Sequence, residues 1–354
     1  MTKSHPTNTI PFPQLVDALL DNEKPFSPVY LHRFSDMSPE DIKKLNEIWL
    51  QIDTQRRVTL MEDLSDLNSH DTLVCFDDIS KIALHDPDPK VRTEAIDLLW
   101  ESDDEKLAPQ FIDMMYKDPD EVVRAAAASA LGMYVYQGEL EEIPKALLKK
   151  VENALLDVFK QKDTPIVRRR CLESLGYSSR DEVPPLIEKA YQMEDEQWQA
   201  SALFAMGRSA DSQWEEHVLN RLDSRDEILF EAVRAAGELE IQAARTPMLN
   251  ILEDFEELEE DLRDAIIWSL SKIGGEDVRE TLEKIMDEVE NEEEVDFIQN
   301  ALDNLEFTEG ANMFGLFDFE AKTEEDLDKI IDLDNDSDLD DEDDGFDFGS
   351  PSKN

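Results

Sequence analysis

Apolar residues recur about every four positions along most of this chain, as they do on one face of an α-helix. Six ten-residue blocks carry apolar residues at or beside their first, fifth and ninth positions: VRTEAIDLLW (91–100), VRAAAASALG (123–132), VRRRCLESLG (167–176), WQASALFAMG (198–207), ILFEAVRAAG (228–237) and LRDAIIWSLS (262–271). Alanine within the stripe allows two helices to approach closely. The blocks start 32, 44, 31, 30 and 34 residues apart, which predicts one helical hairpin per repeat.

Polar residues between the blocks predict where the helices begin. An aspartate stands a few residues before five of the blocks, where it can cap a helix N-terminus: Asp86, Asp118, Asp163, Asp195 and Asp226. Four of the helices that follow a block open near a proline: Pro109, Pro144, Pro184 and Pro247. We interpret the block as the first helix of each hairpin and the proline-containing segment as the second.

These blocks resemble HEAT repeats of the phycobilisome-lyase subtype, most clearly over 175–192 and 262–285. The resemblance covers about residues 72–305. It implies an all-α fold, a right-handed α-α superhelix of the HEAT/armadillo type. The superfamily includes chromophore lyases, scaffolds, metal hydroxylases and DNA-repair proteins, so the fold alone does not select a function.

The flanks of the array differ from the repeats. We expect residues 1–37 to be a partly loose N-terminal extension and 38–85 to be a divergent helical cap, because solenoid ends need atypical repeats to cover their core. The HEAT-like repeats then span 86–305. Residues 306–354 are rich in Asp and predict a disordered acidic tail. Its phenylalanine-containing islands, 314–319 and 346–348, resemble docking motifs, either for the solenoid itself or for a partner.

Charge limits the choice of partners. The formal net charge is −51; residues 306–354 carry 18 acidic residues and three lysines, a net −15, so −36 remains on 1–305. Such a surface repels phosphate backbones and anionic lipids and attracts basic proteins. We therefore expect a basic protein partner, with no nucleic-acid and no membrane binding. The alternative is that the charge only keeps a long array soluble.

The sequence offers little catalytic chemistry. None of the five histidines is followed by Glu, so the His-Glu pairs of HEAT-type di-iron hydroxylases are missing, and no phosphate loop, nucleophile elbow or paired-cysteine pattern occurs. Cys75 and Cys171 match no metal or redox spacing, and the N-terminus lacks a signal-peptide core, so a cytoplasmic location is expected. We predict no catalytic residues, no cofactor and no metal.

One acidic run partly matches a calcium loop. Asp332, Asp334, Asp336 and Asp343 fall at positions 1, 3, 5 and 12, but Ser337 replaces the glycine expected at position 6 and the twelfth residue is Asp instead of Glu. In a segment this rich in aspartate such spacing also arises by chance, so calcium binding by the tail is kept only as a minor alternative.

Two residue types recur with the blocks. An arginine follows the first apolar residue in four of them (Arg92, Arg124, Arg168 and Arg263), and we expect each to pair with an acidic residue of the adjacent repeat. Of the tryptophans, Trp49, Trp100, Trp198 and Trp268 are expected in the core between repeats, whereas Trp214 stands in a polar stretch and is a candidate exposed anchor.

The leading functional hypothesis is a non-catalytic scaffold with an acidic concave surface formed by the second helices. The candidate partner-binding residues are Glu188, Glu215, Glu216, Glu253, Glu256, Glu257, Glu283, Asp287 and Trp214. Two alternatives stay open. One is a bilin-lyase-like chaperone or enzyme subunit, suggested by the repeat subtype alone; the other is an acidic DNA mimic or chaperone that acts through the tail.

Overall fold

A computed structural model of the chain describes residues 10–35, 37–161, 163–253 and 255–313. Within these ranges the regular structure is helical throughout, and the predicted all-α solenoid is confirmed. The chain divides into two compact units, Met1–Ile273 and Gly274–Asn354. The phenylalanine islands and the calcium-loop candidate of the predicted tail lie outside the described residues.

The N-terminal part contains four α-helices and two 3₁₀ turns: α1 (Phe12–Leu20), a turn at Pro28–Phe34, α2 (Pro39–Ile48), a turn at Trp49–Gln51, α3 (Thr54–His70) and α4 (Asp77–Ala83). Leu15 and Leu19 of α1 are fully buried. Arg56 of α3 holds the first segment in place, because its guanidinium donates to the carbonyl oxygens of Ala18 (2.7 Å) and Lys24 (2.6 Å).

The rest of the first unit alternates helices of two kinds. In chain order they are α5 (Pro89–Leu98), α6 (Leu107–Lys117), α7 (Glu121–Glu139), α8 (Lys145–Lys160), α9 (Pro165–Leu175), α10 (Pro184–Tyr191), α11 (Glu196–Arg208), α12 (Glu215–Leu219), α13 (Asp226–Glu238), α14 (Arg245–Leu252) and α15 (Glu260–Ile273). Short 3₁₀ turns occur at Ser212–Trp214, Gln242–Ala244 and Phe255–Glu257. The odd-numbered helices α5 to α15 carry the six blocks, of which the first ends two residues beyond α5 and the third one residue beyond α9. These helices form what we call the alanine row; α4, α6, α8, α10, α12 and α14 form the flanking row.

The alanine row is packed very closely. Each of its helices packs on the next, whereas neighbouring helices of the flanking row touch little. The tenth residue of one block repeatedly meets the eighth residue of the next: a Cβ added at Gly176 would lie 2.8 Å from the Ala205 Cα, and one at Gly237 would lie 2.7 Å from the Ser269 Cα.

The pairing of helices into hairpins differs from the expectation. Helix α6 packs on α7, α8 on α9 and α10 on α11, while among the opposite pairings only α7 with α8 is extensive. The flanking-row helix is therefore the first member of each hairpin and the alanine-row helix the second. The sequence reading had this order reversed, because an apolar stripe shows that a helix is buried and not which neighbour covers it.

Ion pairs join successive repeats along the loops. Arg57 pairs with Asp86 (2.7 Å), Arg92 with Asp118 (2.7 Å) and Arg124 with Asp163 (2.9 Å). The Arg92 guanidinium also donates to the Asp86 carbonyl, and that of Arg124 to the Asp118 carbonyl. The predicted pairing with the adjacent repeat is confirmed for these two blocks.

The arginines of two later blocks contact aromatic rings. Arg168 lies over the rings of Phe159 and Trp198, 5.5 and 5.3 Å from their centroids, and donates to the Phe159 carbonyl. The expectation of an acidic partner for Arg168 in the next repeat was therefore wrong, because Trp198 covers it. Arg263 lies over Phe255 at 4.7 Å.

The predicted N-caps were partly wrong, because two of the predicted aspartates pair with arginines instead of capping a helix. Asp88 and Asp120, two residues after Asp86 and Asp118, cap α5 and α7 through their carboxylates. Asp86 instead pairs with Arg57, and Asp118 pairs with Arg92. Asp195 does cap α11, as predicted.

The second unit contains α16 (Glu276–Glu288) and α17 (Glu292–Met313), which pack on each other. Leu282 and Leu305 are among the fully buried residues there. Helix α17 continues to Met313 instead of ending near Leu305, where the acidic composition predicted the start of the tail. The predicted domain limits at 37, 85 and 305 stay predictions.

Candidate functional site

A second stripe of the alanine row is formed by the fourth, seventh and eleventh positions of the blocks, and it carries most of the partly exposed side chains of the row. These positions lie one turn apart on a helix, away from the buried first, fifth and ninth positions. In the last four blocks they hold Arg170, Glu173 and Tyr177; Ser201, Phe204 and Arg208; Glu231, Arg234 and Glu238; and Ala265, Trp268 and Lys272. Aromatic rings and arginines therefore recur on this face.

These side chains stack into a continuous ladder that crosses successive helices. The Tyr136 and Tyr177 rings lie 5.1 Å apart. The Arg208 guanidinium lies 4.7 Å from the Tyr177 centroid and 4.1 Å from that of Phe204. The Arg234 guanidinium in turn lies 5.0 Å from the Phe204 ring centroid and 5.8 Å from that of Phe230.

Two carboxylates lie beneath the ladder. Glu173 is buried and accepts hydrogen bonds from Arg170 (2.5 Å) and Ser201 (2.7 Å). Burial raises the pKa of Glu231 to about 7, although its pair with Arg234 at 3.4 Å opposes the shift. The ladder therefore rests on a carboxyl group that changes charge near neutral pH.

Burial also acts on the arginine at the centre of the ladder. It lowers the pKa of Arg208, whose guanidinium donates to the Glu173 carbonyl at 3.2 Å. Charged side chains are thus held against aromatic rings with little water around them, a setting in which cation–π contacts strengthen.

The face is open to ligands. A cavity of about 490 Å³ lies along it from Trp100 to Glu238, and a second of about 260 Å³ adjoins it at Arg234 and Glu238 and extends to Lys272. We call the combined surface the aromatic groove; its aromatic members are Trp100, Tyr136, Tyr177, Phe204, Phe230 and Trp268. Three of them are exposed: Trp100 by 44%, Tyr136 by 42% and Trp268 by 39%.

Carboxylates outnumber cations in the lining of the groove. The acidic residues are Glu139, Glu231, Glu238, Asp261 and Asp264, and the basic ones are Arg208, Arg234 and Lys272. Lys272 pairs with Glu238 at 2.9 Å. The lining of the groove therefore carries a net negative charge, which adds to that of the body.

The acidic residues proposed from sequence lie elsewhere. Glu188 is on α10, where it pairs with His217 at 2.9 Å, and Glu215 and Glu216 are exposed on α12. Glu253, Glu256 and Glu257 lie in or beside the turn after α14, and Glu283 and Asp287 lie on α16 in the second unit. Those of the first unit therefore belong to the flanking row or its turns, and the structure does not gather them into one site. Their role in binding stays a prediction.

The tryptophans divide differently from the expectation. Trp214 is 3% exposed and packs edge-on against His217 at 5.3 Å, so it is not an exposed anchor. Trp49 and Trp198 are buried as predicted, but Trp100 and Trp268 are exposed in the groove instead of lying in the core. A polar neighbourhood in sequence misled in the first case, because the residues around Trp214 are the exposed ends of a short turn.

A sequence signal for the groove does exist. Counting from the start of each block, the seventh and eleventh positions hold Phe204 and Arg208 in one block and Trp268 and Lys272 in another. Large aromatic and cationic residues at positions that should face solvent predict a binding face. These residues fall outside the buried apolar stripe, so the spacing that predicts the helices does not reveal them.

The described ranges contain no group of three or more His, Cys, Asp or Glu side chains arranged to hold a metal ion. None of the helices described there has the length and apolar character needed to cross a bilayer.

Comparison with known proteins agrees with the architecture. Residues 76–151 match the family model described as HEAT repeats. The match identifies HEAT repeats in this part of the chain. A search of curated proteins finds no match for it.

Solved structures of low sequence identity resemble the chain. The CpcE–CpcF complex of phycocyanin lyase from Nostoc sp. PCC7120 is 17% identical, with 80% of this chain and 97% of that one covered and a TM-score of 0.49. The YibA protein of Escherichia coli is 14% identical, with 80% and 98% covered and a TM-score of 0.40. Human deoxyhypusine hydroxylase is 16% identical, with 76% and 99% covered and a TM-score of 0.33.

Proposed function

We propose that this HEAT-repeat protein is a non-catalytic scaffold that binds a basic segment of a partner protein along the aromatic groove. The observation that carries the proposal is the exposure of Trp100, Tyr136 and Trp268 among carboxylates on one face of an acidic body. Exposed aromatic rings supply contact area and cation–π attraction, and the carboxylates supply charge complementarity.

The shape of the groove suits an extended ligand. It runs across the alanine row from α5 to α15, and helices packed side by side lie about 8–10 Å apart. Five such steps span roughly 40–50 Å, which an extended chain covers with about 12–15 residues at ~3.3 Å each. A flexible basic segment therefore fits this surface better than a small molecule does.

A defined peptide tests the proposal. A fluorescein-labelled peptide of six Arg-Gly repeats is titrated with the full chain, and binding is followed by fluorescence anisotropy at low and moderate salt. The groove variant Glu139→Gln/Glu238→Gln/Asp261→Asn should weaken binding at least threefold. The matched control Glu215→Gln/Glu216→Gln/Glu283→Gln removes the same charge from other surfaces and should have a smaller effect.

Two results decide the matter. Equal losses in the groove and control variants would show that the peptide senses only the net charge, and the proposed site would be wrong. A larger loss in the groove variant, together with weaker binding at higher salt, would support it.

The second candidate is the binding of a bilin. The observation that favours it is the pair of guanidinium groups, Arg208 and Arg234, stacked between aromatic rings beside the 490 Å³ cavity, since a planar conjugated acid could stack and pair there. Adding biliverdin and recording the visible spectrum tests this. A red shift that the Arg208→Gln/Arg234→Gln variant abolishes would favour the bilin, and an unchanged spectrum would remove it.

The compartment is also a proposal. The sequence contains two cysteines, Cys75 and Cys171, and their spacing matches no metal or redox motif. Such cysteine usage suits a reducing compartment, so we place the scaffold in the cytoplasm.

A further inference from the structure

The ladder in the aromatic groove is filled by the protein's own cations in its middle. Arg208 lies between Tyr177 and Phe204, and Arg234 lies between Phe204 and Phe230. A partner cannot use the ring faces that these guanidinium groups already cover. A partner's cation must therefore use a ring of the groove that these guanidinium groups leave uncovered.

Trp100 lies at the N-terminal end of the groove. It lines the same cavity as Tyr136 and is 44% exposed, and within the part of the chain that the structure describes no guanidinium or ammonium group lies over its ring. The large ring is thus presented to the cavity without the cation that the inner rings have.

The position of Trp100 in its block explains this exposure. It is the tenth residue, a position that holds glycine in four of the other blocks and Ser271 in the last. Glycine there allows one helix to touch the next, as at Gly176. A tryptophan could not fit that contact, and α5 accordingly ends at Leu98, which leaves the ring outside the helix–helix interface.

Carboxylates surround this end of the groove. Glu139 lines the cavity and accepts the Ser179 amide at 2.8 Å, which fixes its orientation. Asp103 accepts a hydrogen bond from the Gln137 side-chain amide at 3.4 Å. The loop that follows Trp100 therefore lies against the last turns of α7. A cation that enters the cavity beside Trp100 therefore meets the negative charge of Glu139.

We propose that Trp100 is the docking site for an arginine side chain of the partner segment, which stacks on the indole and extends the ladder by one guanidinium. The inference rests on the proposed function and names its anchor. Arginine fits better than lysine, because its guanidinium is planar and weakly hydrated and can stack on the ring while it pairs with a carboxylate. Tryptophan is the strongest aromatic partner for such a cation.

The test compares two peptides, six Arg-Gly repeats and six Lys-Gly repeats, on the full chain. The wild type should prefer the arginine peptide. Trp100→Leu should weaken arginine-peptide binding about three- to fivefold, the factor that corresponds to one exposed cation–π contact, and should remove most of the preference over lysine. Phe307→Leu, at a 70% exposed position on α17, is the matched control and should change neither affinity.

The variant keeps every charge, so general electrostatic attraction does not explain a loss. Thermal unfolding of Trp100→Leu checks that the fold is intact, and Trp100→Phe should recover part of both affinity and preference. If Trp100→Leu keeps the affinity and the arginine preference while the groove carboxylate variant still loses binding, the anchor is wrong and the scaffold proposal stands. If the groove and control carboxylate variants behave alike, both proposals fall.

Discussion

Asp86 organises the junction between the N-terminal helices and the first block. Its carboxylate accepts hydrogen bonds from the Trp49 indole (2.7 Å), the Arg57 guanidinium (2.7 Å) and the Asp88 amide (2.8 Å). Arg57 and Asp86 are both buried, so each depends on the other for its charge to be compensated. A buried charge that loses its partner is among the costliest defects in a folded protein.

We expect Asp86→Ala to lower the free energy of unfolding by about 3–5 kcal/mol, since it leaves the buried Arg57 without its partner. Asp88→Ala removes only an exposed helix cap and should cost about 1 kcal/mol. Urea unfolding of both variants measures the difference. Similar losses would contradict the assignment of the two aspartates to different roles.

Glu231 makes stability depend on pH in the neutral range. Its folded-state pKa is raised to about 7 from 4.5, so the folded protein holds a proton that the unfolded chain releases above pH 4.5. The stability linked to this group is therefore greatest at low pH and is lost as the pH rises through 7. The charged groups acting on it are Arg234 and Glu227 on its own helix and Glu173 and Arg170 on α9.

Glu231→Gln should remove this dependence. We expect the variant to be more stable than the wild type at pH 8, by on the order of 1–2 kcal/mol after the loss of the Arg234 pair is included, and nearly equal to it at pH 5. Urea unfolding at the two pH values measures the change. A variant that is destabilised by the same amount at both would show that the carboxyl is ionised throughout.

The residue scale also shows where sequence reasoning succeeds and fails. The pairing of Arg92 and Arg124 with the next repeat could be predicted, since an arginine recurs at one register position and acidic residues precede the next block. Which aspartate serves as partner and which as cap could not, because Asp86 and Asp88 both stand before the same helix. Only their burial separates them.

At the scale of helices, the alanine row depends on the absence of side chains at a few contacts. Gly237 lies inside α13, where alanine would ordinarily be favoured over glycine by about 0.5–1 kcal/mol. Its added Cβ would lie 2.6 Å from the Ser269 Cβ and 2.7 Å from the Ser269 Cα. The helix would therefore have to move away from α15.

We predict that Gly237→Ala destabilises the protein by about 1–3 kcal/mol, against the direction of helix propensity. The sign alone is diagnostic. An increase in the midpoint of thermal unfolding would mean that α13 and α15 do not approach this closely.

The helices themselves could be predicted from sequence, but their pairing could not. Every block predicted from its 1-5-9 stripe is helical, and the alanines lie in close helix contacts as expected. The order within each hairpin was reversed because the segments on either side of a block are both amphipathic. Because of that reversal, the binding face was expected on the flanking row. The groove was not predicted, because its residues lie outside the buried stripe of the blocks.

For the whole molecule, charge distribution separates the body from the segment after α17. Residues 314–354 carry 16 acidic residues and three lysines, a net −13, while residues 1–313 carry −38. If the groove reads the partner, a chain ending at Met313 should bind the arginine peptide within about twofold of the full chain at physiological salt, where charges beyond ~8 Å are screened. If the protein acts as an acidic mimic through its last residues, truncation should remove most of the binding; anisotropy titration of both chains distinguishes these outcomes.

The succession of arginine–aspartate pairs has a mechanical consequence. Each guanidinium contacts the loop of its own repeat and the loop of the next. From Arg57 to Asp163, successive loops are therefore linked to one another by ion pairs. This pattern of ion pairs changes at Arg168. Its guanidinium stacks on Trp198 instead of pairing with an aspartate in the part of the next loop that the structure describes. The contact between successive repeats therefore changes at α9 from an ion pair to cation–π stacking.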